Sequence, residues 1–315
     1  MSLENNASGT HQYDDEIDLK ELFGVLWAGK ILIIAITAIF AIGSVLVALS
    51  IPNQYKATAV LAPAQADGGG LSSALGQLGG LASLAGVSIG AGESTESQIA
   101  QEIMKSWSFI ESFIAENNLE VEVYAAEGWS KSSRELKIDD DVYDVNAQAW
   151  LLEDGDTGEL RPPTSWELFE RFDEMLSVSQ DTKTGLVSVS IEYYSPQIAK
   201  DWLDLYMASI NKHMQARQVA KVSRNISYLE AQITKTSITE MREVFYTIIE
   251  EQTKNKMVAE ASPDYAFVAV SSSMVPEQKS KPSRALICIL GTIFGAVLAT
   301  LLVLVRHYAV SSKFA

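Results

Sequence analysis

Two runs without a single charged residue, 31–51 and 285–305, constrain this 315-residue chain more than anything else in it. Each is 21 residues long and flanked by a breaking or basic residue: Lys30 and Pro52 at the first, Arg284 and Arg306 at the second. A helix needs roughly 20 apolar residues to cross about 30 Å of hydrocarbon. Buried core helices seldom run this long without a polar face. A signal peptide's apolar stretch is only about 7–15 residues, shorter than either run. Both runs are therefore read as transmembrane helices, which makes the chain a two-pass membrane protein.

Between them lie residues 52–284, with 20 Lys and Arg against 34 Asp and Glu. A surface so acidic repels nucleic acid and anionic headgroups, so no nucleic-acid partner is expected. The lone cysteine, Cys288, sits inside the second run, which excludes an intrachain disulfide. The basic residues near the spans do not orient the chain. Lys20, Lys30, Arg306 and Lys313 on the tail side match Lys56, Lys279, Lys281 and Arg284 on the loop side, and the positive-inside rule reads a difference.

The N-terminal residues 1–13 are polar. Ile17, Leu19, Leu22, Phe23 and Leu26 then suit a short amphipathic helix on the membrane face, with Trp27 and Lys30 as interfacial anchors. Residues 55–61 alternate as a strand ended by Pro63. The stretch 68–92 is Gly, Ala, Ser and Leu, either a flexible linker or a packing segment with leucines at helical spacing. Residues 93–117 predict one helix, with Ile99, Ile103, Trp107, Ile110 and Ile114 on a stripe. Acidic turns follow at 139–144 and 153–159, and the second lacks the ligand spacing of a calcium loop. Thr164 or Ser165 is placed to cap a helix. Residues 176–179 and 186–193 read as a hairpin closed at Gly185.

Ser195-Pro196 opens a helix, serine as N-cap and proline at the first position. No proline or glycine interrupts it to about Lys235. Ile198, Trp202, Leu205 and Tyr206 begin its apolar stripe, and Ile226, Leu229 and Ile233 close it. Forty residues make a rod of about 60 Å, too long and too polar through 212–224 to be buried, so it must project. Ser237-x-x-Glu240 has the form of a capping box that starts a return helix over about 238–261, stopped by Pro263. Residues 265–270 then alternate as a strand expected to pair near 55–61.

The sequence offers little chemistry. It has no phosphate-binding loop, G-x-S-x-G or H-E-x-x-H. The histidines, His11, His213 and His307, fall in three separate regions, so no metal site, catalytic residue or cofactor is expected. What stands out is the second membrane entry, Val275-Pro276-Glu277-Gln278-Lys279-Ser280-Lys281-Pro282-Ser283-Arg284, whose prolines impose a stiff extended arm. Inside the span, Gly291-x-x-x-Gly295 lets two helices approach closely. Pro276, Pro282, Gly291 and Gly295 are the proposed coupling and packing residues.

Taken together, these pieces resemble the Wzz-type chain-length determinants, the polysaccharide co-polymerases of bacterial envelopes. The match rests on Glu16-Ile17-Asp18-Leu19-x-x-Leu22, Pro52-x-x-Tyr55-x-Ala57, the glycine-leucine segment 78–86, and Tyr228-Leu229-Glu230. It continues in Phe245-Tyr246-x-x-Ile249-Glu250-x-Gln252-Thr253-Lys254, Val275-Pro276 and Lys281-Pro282. The proline motif is sparser than is usual in the family.

The resemblance implies an α+β fold: two terminal transmembrane helices and a membrane-proximal α/β periplasmic base with a long projecting helical hairpin. It places tails 1–30 and 306–315 in the cytoplasm, spans 31–51 and 285–305 in the inner membrane, and 52–284 in the periplasm. It further implies a ring homo-oligomer that sets the length of O-antigen or a related glycan with a Wzy-type polymerase, without catalysis. In that setting the polar faces of 212–224 would tune length through subunit packing, and the short tail beyond Val305 leaves no cytoplasmic kinase. An export adaptor for exopolysaccharide or capsule on the same scaffold is the alternative. A two-span sensor is a weaker one, because the tails carry no signalling module.

Overall fold

The computed structural model describes residues 19–64 and 92–311. The glycine-leucine segment and the residues before Leu19 lie outside them. The chain runs through α1 (Leu19–Ala28), α2 (Lys30–Ser50) and β1 (Tyr55–Pro63). Helices α3 (Gly92–Met104), α4 (Trp107–Asn117) and α5 (Glu120–Tyr124) come next. Three small hairpins follow: β2 (Ala126–Ser130) with β3 (Glu135–Ile138), β4 (Tyr143–Asp144) with β5 (Ala149–Trp150), and β6 (Leu152–Glu153) with β7 (Leu160–Arg161). Then come α6 (Ser165–Met175), β8 (Leu176–Gln180), β9 (Val187–Tyr193) and α7 (Pro196–Lys235). The last elements are α8 (Thr239–Ala261), β10 (Phe267–Ser271) and α9 (Arg284–Ser311). Two compact units result, one of Met1–Ile51 with Pro282–Ala315, the other of Pro52–Lys281.

The larger unit is built on a four-stranded antiparallel sheet in the order β10-β1-β9-β8. Alternation decides which face is buried. On β1, Tyr55, Ala57, Ala59 and Leu61 point into the core, opposite Tyr193, Ile191, Val189 and Val187 of β9. Strand β10 pairs with β1, setting Leu61 opposite Ala269, and β1 ends at Pro63. The β8–β9 connection turns at Gly185, whose φ of 72° is a left-handed conformation that favours glycine.

The first half of α7 packs on β1 and β9, where the alanines of β1 leave room for a close helix. Trp202, Leu203, Tyr206 and Ile210 fill the interface with Phe109 and Phe113 of α4 and Phe172 of α6. The rings meet edge to face, Phe113 and Tyr206 with centroids 4.8 Å apart, a favoured arrangement. Leu205, assigned to the same stripe from its spacing, is instead 37% exposed.

The single helix expected over 93–117 is broken at Lys105-Ser106. Ser106 caps α4, its Oγ accepting from the Phe109 N–H at 3.4 Å and donating to the Ile103 carbonyl at 2.7 Å. The break turns Phe109, Ile110, Phe113 and Ile114 into the core, while Trp107 is left 43% exposed. It also frees the Met104 carbonyl, which accepts the buried Tyr206 hydroxyl. Burial raises the Tyr206 pKa well above the phenolic value and keeps that hydroxyl protonated as a donor.

The capping box expected at Ser237 does not form. Helix α8 starts one residue later than that box requires, with Ile238 in the cap position and no side-chain hydrogen bond there. Glu240 falls in the first turn, where its charge suits the helix dipole instead. A reciprocal box is present at α6, between Thr164 and Glu167. Arg161 grips the same Glu167 through two 2.8 Å hydrogen bonds. These bonds, led by the one from Arg161, lower the Glu167 pKa to about 2.

Two side chains on α7 fasten the hairpin to the base. The Asn211 carboxamide oxygen accepts the N–H groups of Ala266 and Phe267 at 3.0 and 2.9 Å, and its nitrogen donates to the Phe267 carbonyl at 2.9 Å. One turn on, the Gln215 nitrogen donates to the carbonyls of Ala259 and Ser262 at 2.9 and 3.0 Å, at the end of α8. Backbone groups that leave a helix buried and unpaired are costly, and these two amides satisfy them. Beyond Met214, α7 keeps Val222 and Ile233 buried along its length, while Ala259 is the buried residue of α8.

Two outcomes follow. Asn211→Ala leaves two N–H groups and a carbonyl without partners, so it should cost about 2 kcal/mol. The thermal midpoint of the detergent-solubilised chain would then fall by roughly 4–8 °C, while Gln197→Ala, on an exposed side chain, should leave it unchanged. For Glu167 the folded pKa lies below the ordinary 4.5, so its stabilisation is complete above that value and lost as pH falls toward about 2. Glu167→Gln should flatten the acid-dependent fall of the midpoint across that window.

Candidate assembly and coupling surfaces

In the smaller unit, α2 and α9 pair lengthwise and run antiparallel, as their contacts show. A Cβ placed on Gly291 would lie 2.5 Å from Ser44 Cβ, one on Gly295 2.5 Å from Phe40 Cβ, and one on Gly29 2.5 Å from a Val303 methyl. Contacts that short leave room only for hydrogen. Gly291, Gly295, Ala299 and Val303 thus form a seam at four-residue spacing along α9, with Ala299 fully buried. The close approach read from the glycine pair occurs here within one chain. Gly29, Ser44 and Phe40 were not singled out from the sequence, because a glycine pair signals one helix and does not name its partner.

The outer faces of this helix pair are bare. Ile31 is 76% and Ile39 68% exposed, and both helices are long and apolar enough to cross a membrane. Water would penalise such surfaces, and lipid removes the penalty. On α1, Phe23 stacks on Trp27 and Lys30 Nζ sits 4.4 Å over the Trp27 ring, a suitable arrangement for an interfacial anchor.

In the larger unit, the ends of the segment are tied together. The Gln54 N–H donates to the Lys281 carbonyl at 2.9 Å, and the Gln54 carbonyl accepts the Ser280 N–H at 2.8 Å and its hydroxyl at 3.0 Å. Lys281 Nζ lies 2.6 Å from the largely covered Glu192 carboxylate. Upstream, the Ser273 hydroxyl donates to Asp204 on α7, which also pairs with Lys200 at 2.6 Å. Pro276 and Pro282 are half-buried in this non-helical run, Pro276 between the Ser273 and Lys281 fastenings and Pro282 directly after the second. The prolines were legible in the sequence. Their anchors were not, because Gln54 and Glu192 carry no motif.

The hairpin presents the third surface. Met241, Val244, Tyr246, Met257 and Val258 on α8, with Tyr228 on α7, are all exposed, Met257 and Tyr228 by 63% and 64%. Exposed large apolar side chains gathered on one hairpin make it a candidate assembly surface. Among the described residues no group of three His, Cys, Asp or Glu could hold a metal ion. His213 packs edge-on against Phe109 at 5.4 Å.

Residues 15–117 match the family model for Wzz, the chain length determinant protein. Over that segment the chain is similar to the Wzz type, and the motifs at 16–22, 52–57 and 78–86 fall inside it. No curated protein matches it. Among solved structures, a full-length bacterial polysaccharide co-polymerase is 14% identical, aligning 93% of this chain with 99% of its own at a TM-score of 0.37. A fragment of WzzB, a polysaccharide co-polymerase from Salmonella Typhimurium, is also 14% identical, aligning 73% of this chain with 100% of its own at 0.32. Both scores are too low for a shared architecture to follow from them.

The seam generates its own test. Gly295→Leu should strain the α2–α9 pair by about 1–3 kcal/mol. It should lower the thermal midpoint in detergent, whereas Gly43→Leu, where nothing lies within 4 Å of the added Cβ, should not.

Proposed function

From a Wzz-type segment over residues 15–117, we propose that this chain is a non-catalytic regulator of polysaccharide chain length in the bacterial inner membrane. The family-model match carries the reading, and two exposed apolar helices support the membrane location. In this reading both termini are cytoplasmic and residues 52–284 are periplasmic. Copies assemble as a ring through their α7–α8 hairpins and act on O-antigen or a related glycan beside a Wzy-type polymerase. The exposed apolar side chains of α8 support such side-by-side packing.

The coupling residues take separate roles. Gly291 and Gly295 hold α9 against α2, so the two membrane helices move as one body. Pro276 and Pro282 keep the connecting run extended beside the Lys281–Glu192 pair, so that assembly in the larger unit reaches the membrane without slack.

A deletion strain tests the reading through its glycan ladder. Loss of this chain should leave polymer of random length, restored to a modal length by the wild-type gene. Complete loss of surface polymer would instead indicate an export adaptor. Ile226→Pro, which breaks α7 within the hairpin at about 3 kcal/mol or more, should abolish the modal length while polymer persists. An unchanged ladder from that variant would sink the mechanism.

A further inference from the structure

One stretch of α7 runs against the charge of the whole chain. From Leu205 to Leu229 there is no acidic residue, while Lys212, Arg217, Lys221 and Arg224 all fall within it. This occurs in a segment where acids outnumber bases 34 to 20. Arg217, Lys221 and Arg224 are spaced by four and three residues, so they share one helix face over about 10 Å of rise. Together with Gln218, they line a concave groove of about 220 Å³ between α3 and α7. Ile99 and Met214 give the groove apolar lining, and Glu96 stands at its edge.

Some basic side chains of the larger unit find acids: Lys200 with Asp204, Lys254 with Glu250, Lys281 with Glu192, Arg161 with Glu167. Arg217, Lys221 and Arg224 have no hydrogen bond or ion pair with any described residue. Like charges on neighbouring turns of one helix repel, so the free chain bears a cost here that a bound anion would remove. Two guanidinium forks and an ammonium suit a carboxylate or a phosphate. The apolar lining and the Gln218 amide suit the body and hydroxyls of a sugar ring.

We propose that this groove binds an acidic sugar unit, carrying a carboxylate or a phosphate ester, of the glycan whose length the protein governs. The inference rests on the function proposed above. The concave, sugar-sized shape with its cationic lining favours a small acidic unit over a broad protein surface. Bound along α7, the polymer would meet the hairpin directly, and its charge would set how strongly it is held.

The test uses the full-length chain in detergent, titrated with tetragalacturonate, glucose 1-phosphate and neutral maltotetraose. Tetragalacturonate or glucose 1-phosphate should bind at least about 10-fold tighter than the neutral sugar, and whichever does so identifies the anion. Binding should weaken as salt rises toward about 0.5 M, where screening shortens to a few ångströms. The triple variant Arg217→Gln, Lys221→Gln, Arg224→Gln should lose the preference while keeping its thermal midpoint, because all three side chains are exposed. Equal binding of neutral and acidic probes, no binding of either acid, or full binding by the triple variant would overturn the proposal. A changed oligomer size in that variant with unaltered sugar binding would also overturn it, assigning the groove to a second copy. Failed binding beside a normally restored glycan ladder would remove only this site. Intact binding beside a ladder indifferent to the gene would remove the proposed function.

Discussion

The carboxamide of Asn211 is the point on which the larger unit turns. Helix α7 is anchored by its first half, which buries Trp202, Tyr206 and Ile210 on the sheet, and its second half leaves that core with only α8 beside it. Such a helix is stable only if the chain returns to the base in register. Asn211 makes that return specific, because it reads both N–H and C=O of Phe267 where β10 begins. Gln215 fastens the end of α8 by donating to its carbonyls. The pairing of β10 with β1 and the pitch of the hairpin are thereby set by two amides one turn apart. A hydrophobic contact in their place would bury the surface without choosing a register.

The two units solve different problems of solvation. In the larger one the core is dense with aromatic rings, and its buried hydroxyls, Tyr193 and Tyr206, each donate to a backbone carbonyl. In the smaller one the apolar side chains point outward and small residues point inward, which is the pattern expected where lipid replaces water. The seam of Gly29, Gly291 and Gly295 brings backbones together because dispersion between helices, and not apolar burial, must hold the pair.

Local chemistry was the legible part of the fold. Ser195-Pro196 marks the start of α7, where the Ser195 hydroxyl accepts from the Ile198 N–H, and Gly185 marks the turn before β9. Alternation placed residues 265–270 beside 55–61, and β10 pairs with β1. The break at Ser106 was hidden because the isoleucine stripe continues across it. Only the competing demand of Phe109 and Phe113 for the core, a tertiary effect, decides it. Ser237 was misread for the complementary reason: the spacing of a capping box was present, but the turn between the helices delays α8 to Thr239. The ties at Gln54 and Glu192 and the groove beside α3 join residues far apart in the chain. No local pattern encodes them.

Charge separates these surfaces by role. Exposed ion pairs contribute little each, so where the cations gather matters more than which of them are paired. Along α7 the cations gather where the helix leaves the core, between the Asn211 staple and the apolar outer face of the hairpin. A ligand held there would lie on α7 where its packing changes from sheet to partner helix. Neutralising that stretch would relieve repulsion within α7 and stiffen its free half. In the proposed ring, occupancy of the groove and packing of the hairpins would then act on the same helix.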